Sequence, residues 1–457
     1  MPAEATRFFA PAAWVNGNWA RDVVLTVGAD GCWSEIAANA PVPARAGAQA
    51  LAGPILPGLV DAHGHAFQRA IAGLTERGDG AEDDFWRWRD RMYRVAHRVT
   101  PEQLESIAAF LYGELLRAGY TQVCEFHYLH NDAQGRAYAN ESEMALALVR
   151  AARRAGIGLT LLPALYMRSG FGAKGLREDQ RRFASTPQSI LRVVQEVSRQ
   201  RGDANLVAVG IALHSLRAVD EGAMHEVIGA APTGMPIHIH VAEQQREVDD
   251  CIERHGVRPV EWLLDKMPLD LRWNLVHATH CTHAELEGVR NKRASIVVCP
   301  STEANLGDGV FNLPDWMGQG GSWAIGSDSH VTRDWCEELR LLEYSQRLTL
   351  RQRNVAARAG LSESSATALY QGALAGGSAA AGLPLGGLAP GQRADFMVLD
   401  MAACALAGMP ADHLLDALVF SSPGTPPAQV FVAGHAVCAP DPSTRASFAR
   451  AMDDLWT

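Results

Sequence analysis

Lysine is almost absent from this chain of 457 residues: among its 41 basic side chains only Lys174, Lys266 and Lys292 are lysine. That scarcity takes most lysine chemistry out of consideration. Acidic residues outnumber basic ones, for a formal charge of −10, and no basic stripe interrupts the excess. A nucleic-acid partner normally needs one, so none is expected. The eight cysteines are scattered and form no CxxC pair, which argues against a thiolate zinc site and a disulfide framework. No run of about 18 apolar residues occurs, so no membrane span is predicted. The first residues lack a basic stretch leading into an apolar one, and a cytoplasmic location is expected.

What is present is ordinary globular material, 47% hydrophobic and 20% charged. The length exceeds that at which one core usually stops growing, which predicts a large domain beside a smaller one. Residues 1–54 read as short strands and turns. From Ile55 the pattern changes to eight short apolar runs, at 55–60, 120–126, 157–163, 206–213, 236–242, 273–278, 295–299 and 323–326. Runs of four to eight apolar residues are the mark of buried parallel strands. Helix-like stretches separate most of them, at 101–118, 141–155, 187–201, 220–229 and 244–255, the first with Thr100 as N-cap and Pro101 at its first position. Eight such units predict an α/β fold, a closed (β/α)8 TIM barrel. A doubly wound open sheet is the structural alternative. Beyond about Gly386 the chain is again turn-rich and strand-like. The simplest organisation is a small β-sandwich domain built from residues 1–54 and 386–457, around a barrel of residues 55–385. The Ala/Gly-rich stretch 372–387 reads as the one low-complexity linker.

Barrel enzymes carry their chemistry at the C-terminal ends of the strands. The first predicted strand ends in Asp61-Ala62-His63-Gly64-His65, and residues two apart in an extended chain face the same side. A lone HxH is weak evidence, since histidines pair by chance. The fifth strand, however, ends in His238-Ile239-His240 with Glu243 beyond, the sixth in His277-Ala278-Thr279-His280, and the eighth in Asp328-Ser329-His330. Each could be a satisfied polar residue taken singly; four strand ends on one rim point to a metal. Imidazoles from His63, His65 and His240 with the Asp328 carboxylate suit one divalent ion, zinc first and iron second. No lysine lies near a strand end to bridge two ions, so one ion is expected. Glu243 could equally be a plain helix N-terminal carboxylate.

These motifs resemble the amidohydrolase superfamily, and within it the formimidoylglutamate deiminase family. The resemblance is carried by His63-Gly64-His65-Ala66-Phe67-Gln68-Arg69-Ala70, Phe126-His127-Tyr128-Leu129-His130, His214-Ser215-Leu216-Arg217, residues 238–244, Val276-His277-Ala278-Thr279-His280 and Gly326-Ser327-Asp328-Ser329-His330. It extends over nearly the whole chain, including Pro390-Gly391-Gln392-Arg393-Ala394-Asp395 of the small domain. One departure stands out: that family commonly has serine where Gly64 stands. The residue is expected to point away from the metal and to loosen the local backbone.

The resemblance implies hydrolysis of a formimino group with loss of ammonia, in histidine degradation. It implies Asp328 as proton acceptor from the attacking water, His277 as the group that orients that water, and Glu243 as proton donor to the imine nitrogen. It implies a small dicarboxylate substrate held by Gln68, Arg89, Tyr128, His214 and Arg217, and a homodimer. By residues alone Arg89 is indistinguishable from Arg87 and Arg91, which share a solvated-looking stretch. The segment 67–99 is expected to cover the site as a lid. Two rivals stand beside this reading. One is another deaminase on the same barrel, acting on guanine, cytosine or S-adenosylhomocysteine. The other is a silent barrel used as a scaffold, which would normally have lost these ligands. If Arg217 clamps a carboxylate, Arg217→Ala raises KM by the worth of a charge-assisted bond, about 1.5–3 kcal/mol; an unchanged KM in saturation kinetics removes it from the site.

Overall fold

The computed structural model describes residues 6–77, 85–357, 362–421, 424–437 and 441–457. Strands Leu59–Gly64, Tyr120–His127, Gly158–Leu165, Ile211–Ser215, Ile237–Val241, Trp273–His277, Ser295–Val298 and Ser322–Ile325 pair in parallel, each beside the next in chain order. A parallel bridge between Gly64 and Asp328 then joins the first strand to the residues after the eighth. Neighbours in strict chain order with such a closing bridge make a barrel, and the open doubly wound alternative falls. Nearly every strand residue is buried on both faces, which is why the strands read as continuous apolar runs.

Local chemistry sets the helices. Pro101–Ala118 starts in a capping box: Thr100 Oγ1 accepts from Gln103 N (3.2 Å) and Gln103 Oε1 from Thr100 N (3.0 Å). It ends at Gly119, whose φ of 103° only glycine adopts easily.

The first apolar run divides in a way periodicity could not reveal. Ile55–Pro57 pairs antiparallel with Phe396–Val398 in the small sheet, while Leu59–Gly64 enters the barrel. Gly58 is the junction, and a Cβ there would collide with the Thr121 side chain. The small domain is one eight-stranded sheet curled over a core that includes Phe8, Trp33, Leu51, Ile55, Phe396 and Phe431. Residues 386–457 are not β throughout. Leu414–Phe420 and Pro442–Trp456 are helices, the latter laid on Pro101–Ala118 with Phe448 stacked on Phe110 at 4.3 Å. Its buried Thr444, Ala451 and Leu455 follow helical spacing.

The Ala/Gly-rich stretch is no linker over most of its length. Ser365–Ala381 is a buried helix, and its small residues let it lie against barrel strands. A Cβ on Gly372 would stand 2.5 Å from the Trp323 ring, one on Gly377 2.9 Å from Val60 Cβ, and one on Gly376 would strike the Trp323 carbonyl. The helix ends at the floor of the barrel. There Ala380 O accepts from His238 Nε2 and Ala381 O from Thr160 Oγ1, both at 2.9 Å. Interior side chains thus satisfy carbonyls that the helix end leaves without partners. Among the described residues no helix is long and apolar enough to cross a membrane. Gly376→Ala is expected to destabilise the chain by about 1–3 kcal/mol through overpacking; denaturant titration reads this as a lowered midpoint at unchanged slope.

Candidate metal and substrate site

The site begins with backbone. Asp328 N donates to His63 O (2.9 Å) and His65 N donates to Asp328 O (3.1 Å), fastening the ends of the first strand and the residues after the eighth. The i, i+2 geometry then turns His63 and His65 to one side. His63 Nε2 and His65 Nε2 lie 3.3 and 3.2 Å from Asp328 Oδ1. His240, from the fifth strand, brings its Nε2 to 3.1 Å from His63 Nε2.

Whether these residues suit a metal ion follows from their far sides. His65 Nδ1 bonds to Phe126 O (2.7 Å) and His240 Nδ1 to His214 O (2.9 Å). A carbonyl accepts only, so both Nδ1 atoms carry the proton and both Nε2 atoms turn a lone pair inward. Burial drives the His63 pKa down to about 3 and that of His240 well below the usual range, keeping these imidazoles neutral. Neutral imidazole lone pairs converging beside a carboxylate leave a place for a cation, and the outer bonds fix ring orientation as in known metal centres. The donor set fits a divalent ion.

Around it stand buried acids. Glu125 accepts from Ala66 N (2.8 Å) and Tyr112 Oη (2.9 Å), holding the turn after His65. Asp61 accepts from Ser327 N (2.8 Å) and Ser327 Oγ (2.6 Å), holding the loop that carries Asp328. Burial raises both carboxyls to about 7. His277 lies 3.8 Å from Glu243 Oε1 and 4.0 Å from Asp328 Oδ2, while its Nδ1 is 3.3 Å from Glu303 Oε1. Burial pulls the His277 pKa down, but the Glu243, Glu303 and Asp328 carboxylates outweigh it and raise it to about 10. Burial raises the Glu243 carboxyl against the pull of His277 and Arg217, which favours a proton donor. Ala242, His277, Ala278, Asp328 and His330 all have positive φ. Each costs roughly 1–2 kcal/mol in a non-glycine residue, and such strain concentrates at functional rims.

Gly64 does not loosen the backbone. It is bridged to Asp328, and a Cβ on it would come within 2.7 Å of His330 Cε1. Glycine here makes room for the His330 ring, whose Nδ1 meets Ser327 Oγ at 2.8 Å.

A cavity of about 720 Å³ opens above this cluster. Of the residues singled out from sequence, His65, Gln68, Arg89, Tyr128, His214, Arg217, His240, Glu243, His277 and Asp328 line it, and His63 lies buried beneath. Gln68 Nε2 donates to Tyr128 Oη (3.0 Å), leaving Gln68 Oε1 without a partner. Arg217 approaches Glu243 at 3.7 Å. The Nε atoms of Arg89 and Arg217 are buried and, among the described residues, have no hydrogen-bond partner. Of the expected lid, residues 78–84 lie outside the described ones; Phe85–Ala96 is a helix whose Trp86, Arg89 and Tyr93 face the cavity. Sequence reasoning missed Glu303, Tyr166, Glu125 and Ser327. Glu303 lay four residues past the seventh run and could have been found by extending the rim search there; Tyr166 offered no chemical signal.

Residues 55–437 match the amidohydrolase family, and the chain belongs to it. The family is metal-dependent, and the His/Asp groups above could hold such an ion. The formimidoylglutamate deiminase of Pseudomonas aeruginosa is 47% identical over 427 residues, which cover 93% of each chain. A crystal structure of an amidohydrolase from Brucella melitensis superposes with a TM-score of 0.93 at 40% identity, covering 99% of this chain and 100% of that one. A 5-methylthioadenosine/S-adenosylhomocysteine deaminase of Natronomonas pharaonis is 25% identical over 388 residues, 84% of this chain and 81% of that one. If the cluster holds the metal and Glu243 moves the proton, the two functions separate. His240→Ala loses stoichiometric metal in elemental analysis. Glu243→Gln keeps its metal and loses about 10²–10⁴-fold in kcat.

Proposed function

We propose that this chain hydrolyses N-formimino-L-glutamate to N-formyl-L-glutamate and ammonia, the deimination step of histidine degradation. The observation that carries this is one cavity joining the His/Asp cluster to two arginines, Arg89 and Arg217, whose buried Nε–H groups have no hydrogen-bond partner among the described residues. Unsatisfied buried guanidinium donors are costly unless an anion meets them. The 47% identity to a formimidoylglutamate deiminase supports the same substrate.

In this reading His63, His65, His240 and Asp328 hold one divalent ion, zinc by the preference of imidazole and carboxylate donors. When bound, that ion lowers the pKa of water and supplies a nucleophile near neutral pH. Asp328 accepts a proton from the attacking water. His277, held by Glu303, orients that water and stabilises negative charge developing at the formimino carbon. Glu243 donates its proton to the imine nitrogen, Asp328 passes the water proton to the same nitrogen so that ammonia departs, and the hydroxyl proton of the tetrahedral carbon restores Glu243 as the carbonyl forms; the raised pKa of Glu243 keeps its proton available. Arg89 and Arg217 pair with the substrate carboxylates, while Gln68, Tyr128 and His214 form the adjoining wall. A ring-deaminating activity remains the rival, but its named relatives are distant, with the example above at 25% identity.

Ammonia release from N-formimino-L-glutamate, set against guanine, cytosine and S-adenosylhomocysteine, decides between them. Turnover of the formimino compound alone is expected. Turnover of a nucleobase or nucleoside alone overturns the substrate while leaving the metal centre in place.

A further inference from the structure

Three guanidinium groups gather on one indole at the cavity wall. Arg89 lies 4.6 Å, Arg246 5.0 Å and Arg217 5.5 Å from the Trp86 ring. They come from separate parts of the chain: Arg89 from the same helix as Trp86, Arg217 from just past the fourth barrel strand, and Arg246 from the helix Gln245–His255 after the fifth. All four side chains line the cavity.

Three like charges around one ring repel each other, and their other contacts hold them loosely. The Nε atoms of Arg89 and Arg217 have no hydrogen-bond partner among the described residues. The nearest carboxylates stand at long range: Glu243 at 3.7 Å from Arg217, Asp90 at 3.7 Å from Arg89 and Asp250 at 3.9 Å from Arg246, with Glu247 also acting on Arg217 and Glu253 lining the same cavity. The negative face of an indole attracts cations within about 6 Å, so Trp86 offsets part of the repulsion. The rest is relieved by an anion, and two negative charges relieve it better than one. The same crowding covers the ring with cations, so it is poorly placed to stack on a base.

We propose that Trp86 is a specificity-determining positioning residue, its ring holding Arg89, Arg217 and Arg246 as one clamp that selects ligands with two carboxylates over ligands with one. This rests on the formimino-dicarboxylate reading above and adds two residues to it: Trp86, which acts through the arginines, and Arg246, the outermost cation of the clamp.

The full metal-loaded chain tests it. KM and kcat are compared for N-formimino-L-glutamate and for N-formimino-L-glutamine, which carries one carboxylate. Calorimetry measures the affinity for glutarate against that for its monoamide. Loss of one such cation–ring contact set predicts about a tenfold rise in KM for the dicarboxylate in Trp86→Leu, against about twofold for the monoamide. Trp86→Phe, which keeps an aromatic face, recovers most of the difference. Arg246→Ala, altered at an exposed side chain, weakens the dicarboxylate by about threefold. Should Trp86→Leu fail to fold, Arg246→Ala carries the test by the same comparison. Equal effects on dicarboxylate and monoamide, or a fall in kcat at unchanged KM, overturn the clamp. If the wild type turns over neither formimino compound but binds glutarate in a Trp86-dependent way, the substrate assignment fails and the clamp stands. If it turns over N-formimino-L-glutamate while the variants discriminate as well as wild type, the clamp fails and the substrate assignment stands. A wild type that neither turns over the formimino compounds nor prefers glutarate to its monoamide overturns both.

Discussion

Two backbone hydrogen bonds, from Asp328 N to His63 O and from His65 N to Asp328 O, close the barrel at the point where its chemistry sits. Without them the first and eighth strand ends would be free to slide, and the Nε2 atoms of His63 and His65 would not meet Asp328 Oδ1 at 3.2–3.3 Å. Closure and site assembly are therefore the same event. The supporting residues reinforce it from both sides: Asp61 grips Ser327 on the eighth-strand loop, and Glu125 grips the turn after His65. Gly64 belongs to this arrangement, because its missing side chain lets His330 pack against the closing bridge.

Burial is what makes the assembled groups reactive. It keeps the His63 and His240 imidazoles neutral, as metal ligation demands, and raises the carboxyls of Glu125, Asp61 and Glu243. His277 and Asp328 go the other way: three carboxylates outweigh the desolvation of His277, and the His63 and His65 imidazoles outweigh that of Asp328. Neighbouring titratable groups pushed in opposite directions are the usual sign of an acid–base site. Above them the wall changes character. Arginine and aromatic rings replace histidine and carboxylate, and Trp86 stands where three guanidiniums converge. In the proposed reading the lower part of the cavity serves bond cleavage and the upper part recognition.

The floor of the barrel depends on a different constraint. The helix Ser365–Ala381 fits only because Gly372, Gly376 and Gly377 remove the side chains that would strike Trp323 and Val60. Small-residue composition suggests flexibility when read along the chain, yet here it permits close packing.

How much of this was legible depended on whether the signal was local. Apolar runs, the Thr100 cap and the HxH spacing are properties of a few neighbouring residues, so the eight-stranded barrel and a His/Asp cluster on its rim could be read from sequence; resemblance to a family added the proposed roles of Glu243 and His277 and the proposed substrate contacts. The split of 55–60 between two sheets could not be read, because both halves are apolar and only pairing partners distinguish them. The helices at 414–420 and 442–456 escaped for a related reason: their apolar faces have meaning only against the barrel. Sequence by itself determined which side chains could bind a metal, since ligand chemistry resides in residue type and spacing. Tertiary structure alone decided what those side chains touch: that His65 and His240 give their Nδ1 protons to distant carbonyls, that Glu303 backs His277, and that Trp86 gathers arginines from three parts of the chain. These are contacts between residues far apart in sequence, and they exist only once the barrel has closed.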